Sequence, residues 1–176
     1  DPRADLVVLD DAGNGFRDSV SYFPSALTKR KPWVLYKVRR PLGKGELWSL
    51  LDAKHTERTI TLLSSNELRG EGASISRRLS WERTATDLVL SFAMDPKFTG
   101  LRQCPFLVVP LGIEGAVLLG CKHGQVASAH LWYLPRSTEG ERLEKKGGMS
   151  GFGSVFAAAL AGAFVRERHP AALTSD

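Results

Sequence analysis

A chain of 176 residues with 43% hydrophobic composition carries enough apolar material for one compact domain and too little length for two of ordinary size. Its 24 basic and 19 acidic residues leave a formal charge of +5, which suits anionic ligands and equally fits an ordinary solvated surface. Two cysteines exclude a disulfide framework, the most apolar segment falls short of the ~20 residues of a membrane span, and no secretion signal opens the chain, so a reducing, cytoplasmic setting is expected.

The chain opens on Asp1-Pro2-Arg3 without an initiator Met, and reads as an excised piece of a larger protein whose other domains are candidate partners. Leu6-Val7-Val8-Leu9, ending in Asp10-Asp11-Ala12-Gly13-Asn14-Gly15, has the continuous apolar character and polar stop of a buried parallel strand. Trp33-Val34-Leu35-Tyr36-Lys37 and Thr59-Ile60-Thr61-Leu62-Leu63 repeat that pattern, with a short helix expected between them over 45–52. Ser80 is the expected N-cap of a helix over 80–94, with Glu82 near its positive end and Trp81, Ala85, Leu88 and Phe92 on one face, stopped by Pro96. Strands follow at Phe106-Leu107-Val108-Val109 and Ala116-Val117-Leu118-Leu119, with a weaker one over 126–134. A polar loop over 135–148, a buried helix from Gly151 and a frayed tail over 169–176 complete the chain, so the single domain covers 1–168. Alternating strands and helices predict an α/β fold in three layers, a mostly parallel sheet with helices on both faces.

In such sheets ligands bind at the carboxyl ends of the strands. Asp10 to Gly15, Lys37, Asn66 and Gly112 to Gly115 fall on that edge, and the glycine turn at 147–153 is positioned to face them. That turn, Gly147-Gly148-Met149-Ser150-Gly151-Phe152-Gly153, runs directly into the apolar helix. Glycines allow close backbone approach, and the free N–H groups and positive dipole of a first helical turn favour phosphate. With no Lys after the glycines, the motif is not a Walker loop. Close helix packing is the alternative use of the same small residues.

In their order these segments resemble the carboxy-terminal half of a ribokinase-like (PfkB-type) carbohydrate kinase. The strand ending at Asp10 is similar to the family's Asp-Tyr-x-Lys-Gly strand and turn, and Leu62-Leu63-Ser64-Ser65-Asn66-Glu67 to the strand leading into its Asn-x-x-Glu motif. Leu111-Gly112-Ile113-Glu114-Gly115 is similar to its Thr-Leu-Gly-x-x-Gly turn, and Gly151-Phe152-Gly153-Ser154-Val155-Phe156 stands where the family has Gly-Ala-Gly-Asp-x-Phe. The resemblance implies an ATP or ADP site with Mg²⁺, in which Gly112, Gly115 and Asn66 line the nucleotide and Gly151, Phe152 and Gly153 form an anion hole. Three departures stand out. Ser154 replaces the catalytic Asp, and an unassisted hydroxyl does not accept a proton near neutral pH as a carboxylate does. Arg69 replaces the acidic residue of the Asn-x-x-Glu motif, and Asn14 stands where the family's first turn usually carries a basic residue. The expectation is a degenerate kinase-like domain that binds a nucleotide or phosphorylated small molecule with little or no sugar-kinase activity. An active kinase in the full-length chain is the alternative within the family.

Other constellations carry less. Cys104, Cys121 and His123 lack zinc-site spacing, and Ser150 lacks the second Gly of a hydrolase elbow, since Phe152 stands there. Nucleic-acid binding is the rival from another class, because Arg39, Arg40 and Lys44 interleave with Trp33, Tyr36 and Trp48, although those aromatics suit a core equally well. A structural interaction module is the third reading.

Overall fold

Runs of branched and aliphatic residues closed by polar turns become the strands of one sheet, and the 3.6-residue apolar spacings become the helices that cover it. The computed structural model describes residues 5–10, 32–38, 56–70, 72–75, 80–133 and 152–167. Their order is β1 (Leu6–Asp10), β2 (Trp33–Lys37), β3 (Thr59–Leu62), α1 (Ser65–Gly70), α2 (Trp81–Met94), β4 (Phe106–Pro110), β5 (Gly115–Lys122), β6 (Gln125–Tyr133) and α3 (Phe152–Glu167). Short 3₁₀ turns lie at Pro96–Phe98, Leu101–Gln103 and Gly112–Glu114. The expected helix over 45–52 with its Trp48, the loop over 135–148, the tail, residues 11–15 and the basic residues Arg39, Arg40 and Lys44 lie outside the described residues.

The six strands pair in sequence order, β1-β2-β3-β4-β5-β6. β1 through β4 run parallel, whereas β4–β5 and β5–β6 are antiparallel. The sheet is therefore mixed, where the sequence pattern suggested a mostly parallel one. The connection from Pro110 to Gly115 holds only four residues, and a parallel crossover needs about a dozen or more. The chain instead turns back, with the Leu111 amide donating to the Gly115 carbonyl at 2.8 Å. β5 and β6 join through His123 and Gly124, whose φ angles of 53° and 73° match the two-residue turn that follows strand twist best.

Alternation along the strands divides the core in two. Val34, Tyr36, Leu107, Val109, Val117 and Leu119 face one way and pack with Leu68 of α1 and Ala85, Leu88 and Phe92 of α2. Leu35, Ile60, Leu62, Val108 and Leu118 face the other way and pack with Ala157, Leu160 and Phe164 of α3. Helices thus cover both faces of an α/β sheet. α2 starts as expected: the Ser80 side chain accepts from the Arg83 amide. At its far end, buried Arg102 donates to the carbonyls of Phe92, Asp95 and Gly124, tying the last turn of α2 to the β5–β6 hairpin. α3 is not the buried helix expected from its composition. Among its described side chains only the stripe Ala157, Leu160 and Phe164 is buried, while Val155 and Val165 are 70% and 53% exposed.

Candidate functional site

The four parallel strands end on one rim, and two charged residues stand there in register. Asp10 closes β1, Lys37 closes β2, and the two are paired across the ladder. The two-residue period fixes which way they point. Leu35 faces α3, so Lys37 does too, and Leu6 on that same side places Asp10 with it. The buried Lys37 donates from Nζ to Asp10 Oδ2 at 3.3 Å and to Ser154 Oγ at 2.8 Å.

The second of these bonds orients α3. Ser154, in the first turn, meets the carboxyl end of β2, while Phe164, ten residues on, packs its ring 5.6 Å from Trp33 at the start of β2. Ten helical residues rise about 15 Å and four strand steps about 13 Å, so α3 runs antiparallel to the strands. Its amino end is consequently delivered to the rim. A cation beside the positive end of a helix dipole is disfavoured by about 0.3–1 kcal/mol at an exposed site. At this corner the Asp10 carboxylate offsets that repulsion.

Lys37 also lines a cleft of about 390 Å³ between the ends of β2, β3 and β4, together with Val38, Ser64, Ser65, Asn66, Glu67, Leu111 and Gly112. The two hydroxyls, the side-chain amide and the backbone at Gly112 surround it with hydrogen-bonding groups, and the Lys37 ammonium and the Glu67 carboxylate are its charges. Not every polar group there is open to a ligand. The Ser64 amide donates to Glu67 Oε2 at 2.5 Å and the Glu67 amide to Ser64 Oγ at 3.3 Å, a reciprocal cap that satisfies the start of α1. Arg69 bends back to Asn66 Oδ1 at 3.0 Å and to the Ile75 carbonyl at 3.1 Å.

Of the residues expected at the site, Asn66 and Gly112 line the cleft, and Ser154 joins it through Lys37. Phe152 and Gly153 form the first turn of α3, and Gly151 lies outside the described residues. Gly115 does not line the cleft. Its φ is 136°, and a Cβ there would sit 1.7 Å from the Trp132 carbonyl oxygen, so close strand approach alone demands glycine. Sequence reasoning places Asp10 and Lys37 on the rim but does not join them with Ser154 into one chain of contacts. It also misses the cap of α1, for which Ser64-x-x-Glu67 is the available signal.

The rival constellations resolve differently. Trp33 packs against Phe106 and Phe164, and Tyr36 is buried, so neither offers a face on which a base could stack. Burial pushes the Cys104 thiol up to about 12 and the Cys121 thiol up to about 11, which leaves both protonated near neutral pH. Among the described residues, no group of three or more His, Cys, Asp or Glu side chains is placed to hold a metal ion, and no helix is long and apolar enough to cross a membrane. No family model matches the chain, and no curated protein or solved structure matches it either.

Proposed function

We propose that this chain is a ribokinase-like domain with degenerate motifs, cytoplasmic in setting, that binds a nucleotide or another phosphate-bearing small molecule at the rim of β1 to β4. The observation that carries the reading is the Lys37–Ser154 hydrogen bond. It brings a buried ammonium and the first turn of a 16-residue helix to one corner, beside a polar cleft at the strand ends. Charge and oriented N–H groups at such a corner are what a phosphate requires. The cleft volume falls within the ~300–1,000 Å³ of small-molecule sites. ATP or ADP is the ligand class the family resemblance implies, with Mg²⁺ held largely by the phosphate oxygens.

Little or no sugar-kinase activity goes with this reading. Ser154 supplies no carboxylate to take the proton of an acceptor hydroxyl, and losing such a base removes about 10²- to 10⁴-fold of rate. Arg69, held by Asn66 and the Ile75 carbonyl, is a cation where the resemblance calls for an acidic residue.

A thermal-shift titration with ADP and with ATP, each with Mg²⁺, tests the proposal. Saturating nucleotide raises the melting temperature of the wild-type chain by about 4–12 °C, as about 2–3 kcal/mol of linkage does for a domain of this size. The Gly153→Asp variant, which puts a carboxylate in the first turn of α3, loses that rise. No rise with either nucleotide on the folded wild-type chain contradicts the reading.

A further inference from the structure

We propose that Asp10 is an internal stand-in for the ligand's phosphate, which neutralises the cationic corner formed by Lys37 and the start of α3 until an incoming phosphate group displaces it. The inference rests on the phosphate-binding reading above and adds the element that regulates that site.

Burial decides which partner yields. The Lys37 side chain is 9% exposed and that of Asp10 is 36% exposed. A buried ammonium needs a counter-charge or acceptor wherever the ligand stands, because taking it from water unpaired is costly. Asp10 has water within reach, so its carboxylate can leave Lys37 and be solvated. The bond from Lys37 to Ser154 keeps the ammonium aimed at the helix start during the exchange.

Competition of this kind also sets selectivity. Asp10 is tethered on the neighbouring strand, in register with Lys37, and so acts at high effective concentration. A free monocarboxylate offers Lys37 nothing that Asp10 does not already supply. A phosphate group brings more charge and more acceptor oxygens, which can engage both the ammonium and the N–H groups of the first turn of α3. The corner thus favours phosphate over carboxylate, at the expense of some affinity.

Calorimetric titration of the 176-residue chain with inorganic pyrophosphate tests the proposal, using the wild type, Asp10→Asn, Lys37→Met and the double variant. Asp10→Asn tightens binding about tenfold, because the Lys37 ammonium no longer has to give up a charged partner 3.3 Å away before it meets the ligand. With Lys37→Met already in place, the same exchange changes affinity by less than about threefold, a coupling that non-additivity exposes. Asp10→Ser serves as a second neutral variant, with a thermal melt to show that each protein is folded. Unchanged or weaker binding in both neutral variants, with the wild type binding, overturns the inference. So does an equal gain with and without the Lys37→Met exchange, which reduces Asp10 to general repulsion. If neither the wild type nor the neutral variants bind pyrophosphate or ADP, the phosphate-binding reading fails, and the inference falls with it.

Discussion

Gly115 illustrates how a residue of the kind a ligand demands can be demanded by the fold instead. Its backbone lies in a region that L side chains rarely enter, and the space a Cβ would need is filled by the Trp132 carbonyl of the paired strand. Gly115→Ala is therefore expected to lower stability by about 3 kcal/mol or more, read as a fall in the urea midpoint at unchanged slope. A change within about 0.5 kcal/mol would show that the strand pair adjusts freely and that the glycine is there for another reason. Gly112, three residues earlier, does line the cleft, so the two glycines of one short motif divide between ligand space and strand packing. The motif gives no sign of this, because the obstructing atom belongs to β6, which is distant in sequence. Lys37 poses the converse case. Its place at the end of an apolar strand is plain from the sequence, and its partner 117 residues away is not.

At the scale of elements, α3 departs most from what its residues promise. Alanine and glycine make its sequence look uniformly apolar, yet they cover little area, so a single stripe of Ala157, Leu160 and Phe164 suffices to seat it on the sheet. The opposite side stands open at Gly162, where a Cβ would meet nothing within 4 Å. Gly162→Ala removes the entropic penalty of a mid-helix glycine without a clash. It is expected to stabilise the chain by about 0.5–1 kcal/mol in chemical denaturation, whereas a loss of stability would place a neighbour against that side. α2 is fully legible, from its Ser80 cap to its buried Ala85, Leu88 and Phe92, since a cap and a clean apolar face are local signals. α1 is not. A six-residue helix has no room for periodicity, and only its reciprocal Ser64 and Glu67 cap marks it.

Across the whole molecule, the α/β class and the positions of all six strands follow from short apolar runs, because each strand carries its own pattern. Strand direction is a property of the connections. The four residues before Gly115 and the His123-Gly124 turn are too short to cross over, and they convert the last third of the sheet to hairpins. What remains parallel, β1 to β4, is the part that forms the rim. The candidate site joins three distant stretches there: the strand ends at Asp10 and Lys37, the cleft from Ser64 to Glu67 with Gly112, and the helix start at Ser154. Sequence order places the first two together and suggests the third. The contact itself depends on which face Lys37 takes and on the direction of α3, both settled by packing.

Amide chemical-shift mapping of the ¹⁵N-labelled chain during titration with ADP and Mg²⁺ reads that convergence most directly. Saturable shifts are expected at Lys37, at Ser64 to Glu67, at Gly112 and at Gly153 and Ser154, all following one binding curve. Shifts confined to other surfaces, or none up to millimolar ADP, would contradict that convergence.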